Sequence, residues 1–129
     1  MPKKRDFQIG VEEPFDVKAE VKEDIGAGLR VALENINTKE GIIGYILRGS
    51  TSASVDIKDP SKIVEYAVLS ATVFESSESL SHLFGLGKIR SVVLEGKDVK
   101  ILCATIGDQR LSVFMEKTVD HNSIYRKLT

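Results

Sequence analysis

Residues 62–117 read KIVEYAVLSATVFESSESLSHLFGLGKIRSVVLEGKDVKILCATIGDQRLSVFMEK. Their punctuation decides the fold. One long helical pattern comes first, opened by Asp59-Pro60-Ser61 and stopped by Gly85-Leu86-Gly87. An acidic cap followed by proline in the first turn leaves no needed donor unsatisfied, so a helix starts well there. Three short apolar runs follow: Ile89 to Glu95, Val99 to Thr105 and Leu111 to Met115. They are separated by Gly96-Lys97-Asp98 and Gly107-Asp108, and short glycine-containing turns predict antiparallel hairpins. In the first run Ile89, Val92, Val93 and Leu94 are apolar on both faces, the pattern of a strand buried twice.

Upstream, Ile25, Leu29, Ala32, Leu33 and Ile36 recur at three- and four-residue steps, with Asp24 as the N-cap and Gly41 just beyond the end. This predicts a first helix. Ile42 to Arg48 reads as a strand rich in β-branched and aromatic groups, and Ser50-Thr51-Ser52 connects it to a second strand, Ala53 to Ile57. At the other end, Asp120 or Asn122 caps a short helix with Ile124, Tyr125 and Leu128 facing inward. The expected fold class is α+β, in the order α-β-β-α-β-β-β-α, with helices flanking a five-stranded antiparallel sheet. Residues 1–22 mix charges with scattered Phe7, Ile9, Val11, Phe15, Val17 and Val21 around Pro14. They read as an amino-terminal arm ahead of a single domain over 23–129.

The long helix carries the sharpest inference. At 100° per residue, Ile63, Val64, Tyr66, Ala67, Val68, Leu69, Ala71, Val73 and Phe74 cover roughly 260° of its circumference, where a stripe of about 100° suffices for one-sided packing. Glu65, Thr72, Ser76 and Ser79 form the narrow polar remainder. One sheet face does not bury that much, which predicts cover from a second chain, or from the amino-terminal arm folded back.

Composition sets the bounds. The chain has 129 residues, 42% hydrophobic and 29% charged, enough for one core. Eighteen basic and 19 acidic residues give a net charge of -1, so no global field draws it to nucleic acid. The single cysteine, Cys103, excludes an internal disulfide and suits a reducing cytoplasm. No apolar run approaches the roughly 20 residues of a membrane span, and Met1-Pro2-Lys3-Lys4-Arg5-Asp6 lacks a signal-peptide core. A cytoplasmic protein without a membrane span is expected.

Catalytic groups do not stand out. Gly85-Leu86-Gly87-Lys88 superficially suggests a phosphate loop, but Ile89 stands where a metal-binding hydroxyl is needed, and the segment precedes a strand. Cys103 with His82 or His121 could be imagined as nucleophile and base. Yet Cys103 lies in an apolar strand pattern that suits a packed thiol. Two histidines and one cysteine make a zinc site improbable. Arg48, Arg90 and Arg110 read as ordinary surface arginines, and Ser76 to Ser81 as the solvated late part of the helix. No cofactor, metal or catalytic residue is expected, and the protein is read as not an enzyme.

At this point the residues resemble the roadblock family, named for dynein light chains and found widely in bacteria and archaea. The resemblance rests on Gly41-Ile42-Ile43-Gly44-Tyr45-Ile46-Leu47, on the long second helix, and on Phe84-Gly85-Leu86-Gly87-Lys88-Ile89-Arg90-Ser91-Val92-Val93-Leu94-Glu95-Gly96. Val99-Lys100-Ile101-Leu102, Gly107-Asp108 and Leu111-Ser112-Val113 complete it. It implies a homodimer in which the third strand pairs with its mate and the second helices pack side by side. The implied contacts are Val64, Val68, Leu69 and Val73 on the helix, and Ile89, Ser91, Val92, Val93 and Leu94 on the strand. It further implies a scaffold or regulator of a small Ras-like GTPase, the mate being a second copy or a paralogous roadblock protein. The family's usual aspartate-rich hairpin tip is replaced by Ser50-Thr51-Ser52-Ala53-Ser54, which leaves partner identity open. The alternative is a profilin-, PAS- or GAF-like module enclosing a small ligand, for which Tyr45 and Thr105 are the available polar groups.

Overall fold

The computed structural model describes residues 24–129, so the expected arm over 1–22 lies outside the described residues. The elements are α1 (Asp24–Asn37), β1 (Ile42–Arg48), β2 (Ala53–Ile57), α2 (Ile63–Phe84), β3 (Ser91–Glu95), β4 (Val99–Ile106), β5 (Gln109–Glu116) and α3 (His121–Leu128). The order is the expected one. A 3-10 turn, Pro60–Lys62, leads into α2. The chain divides into two units between Glu34 and Asn35, inside α1. In α1, Leu29, Leu33 and Ile36 are buried at helical spacing.

The second unit holds an antiparallel sheet in the order β2-β1-β5-β4-β3. Every β5 residue from Leu111 to Met115 is 0% exposed, so the central strand is covered on both faces. Alternation sorts the side chains. Ser112 and Phe114 share a face with Ile46, Ile101 and Cys103, and Tyr66 of α2 joins Phe114, Ile46, Ile57, Ile101 and Cys103 in one core cluster. β1 bulges between Ile42 and Gly44. Gly44 has φ 154°, and a Cβ there would lie 2.3 Å from the Asp56 carbonyl oxygen, so only glycine lets β2 approach this closely.

Two expectations change. The third strand starts at Ser91 rather than Ile89, because Gly87 (φ 77°) turns the chain and Ile89 remains half-buried before pairing begins. Among the described residues that strand is also an edge, paired with β4, and Val93 and Leu94 are 37% and 47% exposed. The double burial suggested by its composition is not supplied by the described residues. Among the described residues no helix is long and apolar enough to cross a membrane.

Candidate functional site

The candidate site is the outward surface of α2 together with the edge of β3 that no other described strand pairs, and the inward side of α2 determines how it is presented. Asp59 caps the entry, its Oδ1 accepting from the Ser61 amide at 3.1 Å and the Ser61 hydroxyl at 2.7 Å. The hydroxyl first, then the amide, hold this exposed carboxyl below the ordinary 3.8. At the exit Gly85 takes a left-handed conformation (φ 62°) and its N–H donates to the Ser81 carbonyl. Between them, Tyr66 stacks on Phe114 with centroids 4.5 Å apart and planes 9° from parallel. Ser70 and Ser112 share a buried hydrogen bond at 2.5 Å, and the Cys103 sulfur lies 3.4 Å from the Ser112 hydroxyl. A buried hydroxyl is costly unless paired, so this pair admits one rotation of α2 over the sheet.

That rotation divides the expected contact residues. Val64 (75% exposed) and Val68 (62%) face outward. Leu69 and Val73 are partly buried and pack against the core cluster beneath the helix. Ala67 is exposed and Ala71 half-buried beside the valines, so the outward stripe is Val64, Ala67, Val68, Ala71, at i, i+3, i+4 and i+7. On β3, Ser91, Val93 and Leu94 are exposed, while Val92 and the preceding Ile89 are half-buried. Register places Val92 opposite Cys103 and Leu94 opposite Ile101, on the α2 side, and Val93 opposite Leu102 on the other. The helix ends in a second exposed group, Leu80, Leu83, Phe84 and Leu86, at 51%, 76%, 70% and 60%.

Between the late part of α2 and the strands lies a groove of about 380 Å³, walled by Ser77, Glu78, His82, Lys88, Arg90 and Arg110, with Phe74, Val92 and Cys103 among its lining. Arg110 is occupied: it pairs with Glu78 and its guanidinium sits 5.3 Å from the centre of the Phe74 ring. Burial pushes the Cys103 thiol up to about 11, against the smaller opposing effect of its Ser112 hydrogen bond. It therefore stays protonated at neutral pH, which removes the thiolate a nucleophile requires. Among the described residues no three metal-ligating side chains converge. A second, open concavity at the β1–β2 tip is lined by Arg48, Ser50, Thr51, Ser52, Asp108 and Arg110. Tyr45 and Thr105 do not converge: Tyr45 alternates with Gly44 and Ile46 and lies on the sheet face away from α2, whereas Thr105 shares the α2 face with Cys103. Ser77 and Ser81, in the serine-rich segment, return their hydroxyls to the carbonyls of Val73 and Gly87.

This architecture has counterparts among solved structures. It superposes on the Roadblock/LC7 domain from Streptomyces avermitilis with a TM-score of 0.61 at 16% identity, covering 79% of this chain and 86% of that one. The fold is that of the roadblock domain. The gliding protein MglB from Thermus thermophilus shares it with a TM-score of 0.60 at 13% identity, covering 81% and 83% of the two chains. MglC from Myxococcus xanthus follows with a TM-score of 0.51 at 19% identity, covering 78% and 90%. No family model matches the sequence, and no curated protein does. At these identities the roadblock likeness is carried by strand order and helix placement.

Two features of the roadblock fold as built here escaped sequence reasoning. Ser70 and Ser112 each interrupt an apolar run, Val68-Leu69-Ser70-Ala71 and Leu111-Ser112-Val113, and two such interruptions on different elements signal a buried pair. The group from Leu80 to Leu86 reads in sequence only as the approach to the helix stop, although its four large apolar side chains fall where α2 ends.

Proposed function

We propose that this chain is a non-enzymatic, homodimeric adaptor or regulator of a small Ras-like GTPase, acting in the cytoplasm as a protein-binding scaffold. One observation carries the reading: the outward stripe Val64, Ala67, Val68, Ala71 lies on the helix that packs over the sheet, and among the described residues that sheet ends in an unpaired, apolar β3 edge. Pairing β3 with β3 of a second copy would satisfy its free backbone groups and extend the sheet across a two-fold axis. The α2 helices would then approach through small alanines flanked by valines. Val64, Val68, Ile89, Ser91, Val92, Val93 and Leu94 supply the contacts in this reading, and Leu69 and Val73 support the helix from below. The roadblock fold and the family resemblance support a small GTPase as the partner, and a paralogous roadblock chain could replace the second copy.

Light scattering across a concentration series tests the assembly. The expected mass is twice 14.2 kDa. Val68→Glu should lower it to that of one folded chain, since the side chain is 62% exposed and serves no core contact. Pull-downs with GDP- and GTP-loaded small GTPases test the partner. A strict monomer that retains no GTPase would sink the proposal. The competing ligand-sensing reading draws on the groove beneath α2, and the placement of Tyr45 and Thr105 on opposite sheet faces counts against it.

A further inference from the structure

We propose that the concavity at the β1–β2 tip is a phosphate-binding site, seating a phosphate monoester between Arg48, Arg110 and the Ser50-Thr51-Ser52 turn. The concavity measures about 590 Å³, within the range of small-ligand sites. Register sets its chemistry. Arg48 of β1 lies directly opposite Arg110 of β5, and Ile46 opposite Ser112, so both arginines continue the rows of the sheet face that α2 covers. Directly opposed residues on antiparallel strands have Cβ atoms about 5 Å apart, a spacing at which two like charges disfavour each other. A phosphate dianion between them turns that repulsion into attraction, and guanidinium groups match its oxygens with forked N–H donors.

The two arginines are not equivalent. Arg110 is half-buried, pairs with Glu78 and lies over the Phe74 ring, contacts that fix its position and offset part of its charge. Arg48 is exposed, and its side chain makes no ion pair or hydrogen bond among the described residues. Across the concavity the Gly49 N–H donates to the Ser52 carbonyl at 2.9 Å and closes the turn. The hydroxyls and amides of Ser50, Thr51 and Ser52 have no partner among the described residues, which leaves them as donors facing solvent. Asp108 supplies the opposing charge in the lining and forms no salt bridge with either arginine. Unpaired donors therefore outnumber acceptors around a guanidinium that lacks a counter-ion.

Position separates this concavity from the surface assigned to a second copy. Pairing through β3 would continue the sheet beyond β3, whereas Arg48 lies on β1, with β5 and β4 between. At about 4.8 Å per strand, that is roughly 14 Å from the β3 edge. Along α2, Glu78 stands beyond Ala71 by about 10 Å of helix rise, so the outward stripe ends before the helix reaches Arg110. The inference rests neither on the proposed dimer nor on the GTPase.

Heteronuclear NMR titration of the full chain tests it, at fixed ionic strength and about pH 7.5, where a phosphate monoester is mostly dianionic. The probes are inorganic phosphate, ribose 5-phosphate and N-acetyl phosphothreonine amide, with sodium chloride as the control. The phosphates should each give saturable amide shifts confined to residues 48–53 and 107–110, and chloride none. Arg48→Ala should weaken binding on the order of tenfold, with Arg48→Lys restoring only part of it. Asp108→Asn should tighten it about threefold by removing the opposing charge. Both positions are exposed, so the circular dichroism should not change. Tighter binding of ribose 5-phosphate would assign the seat to a small phosphorylated ligand, and tighter binding of phosphothreonine to a phosphorylated protein side chain; equal affinities would mean that the phosphate group alone is read. Each of these sustains the site. Shifts absent up to about 10 mM phosphate, scattered over the surface, or unaltered by Arg48→Ala would overturn it.

Discussion

The inward and outward faces of α2 have similar apolar content and opposite fates. Inward, Tyr66 and Ser70 are 8% and 7% exposed and meet Phe114 and Ser112, which are 0% exposed. Outward, Val64 and Val68 touch little of their own chain. Hydrophobicity does not tell the two faces apart. What does is the pairing of one hydroxyl and one ring with counterparts on β5, a match only one rotation of the helix provides.

The comparison can be broken most severely at Phe114. Phe114→Ala removes the ring under Tyr66 at a fully buried position and should cost about 3–5 kcal/mol in denaturant unfolding; a loss below about 1 kcal/mol would mean that the inward face is not the anchor. Ser112→Ala strands the Ser70 hydroxyl and should cost about 1–3 kcal/mol, whereas Ser70→Ala with Ser112→Ala should recover much of that loss. Equal losses from the single and double substitutions would dismiss the rotational lock.

Cys103 probes the same interface chemically. Its ordinary value of 9.0 is raised to about 11 in the folded chain, so the native state keeps the proton that the unfolded chain gives up first. Stability on this account is flat below pH 9.0 and falls as pH rises from there towards 11. Thiol labelling at pH 8 should follow unfolding, and rapid labelling of the native chain would show the groove floor to be open. The smallest effect belongs to the exposed cap. Asp59 has a depressed pKa, so its contribution is present above the unfolded value of 3.8 and is lost as pH falls through the folded one. Asp59→Asn should flatten that acid limb of the stability profile and leave the neutral region almost unchanged.

Element order was legible because punctuation is local chemistry. Asp59-Pro60, Gly85 and Gly107-Asp108 specify caps and turns whatever packs around them, and all fall where expected. The start of β3 was less legible, since Ile89 and Arg90 have strand composition but their conformation follows from the turn at Gly87. The candidate site was half legible. A surface spanning most of the helix circumference announces extra cover without saying which residues receive it, so Val64 and Val68 could not be separated from Leu69 and Val73. That separation depends on Ser70 meeting Ser112, a contact 42 positions apart in the chain.

The strand order β2-β1-β5-β4-β3 also bears on how far an assembly could grow. Each open edge is a valence, and among the described residues this sheet has two unequal ones. β3 offers Val92-Val93-Leu94, an adhesive run, whereas the middle of β2 is Ser54-Val55-Asp56, whose carboxylate would lose water in edge-to-edge pairing. In the proposed assembly, one adhesive edge and one charged edge would limit the sheet to two copies. Without the charge at Asp56 the second edge would lose that guard, and a sheet proposed to end in a pair could continue into a fibre.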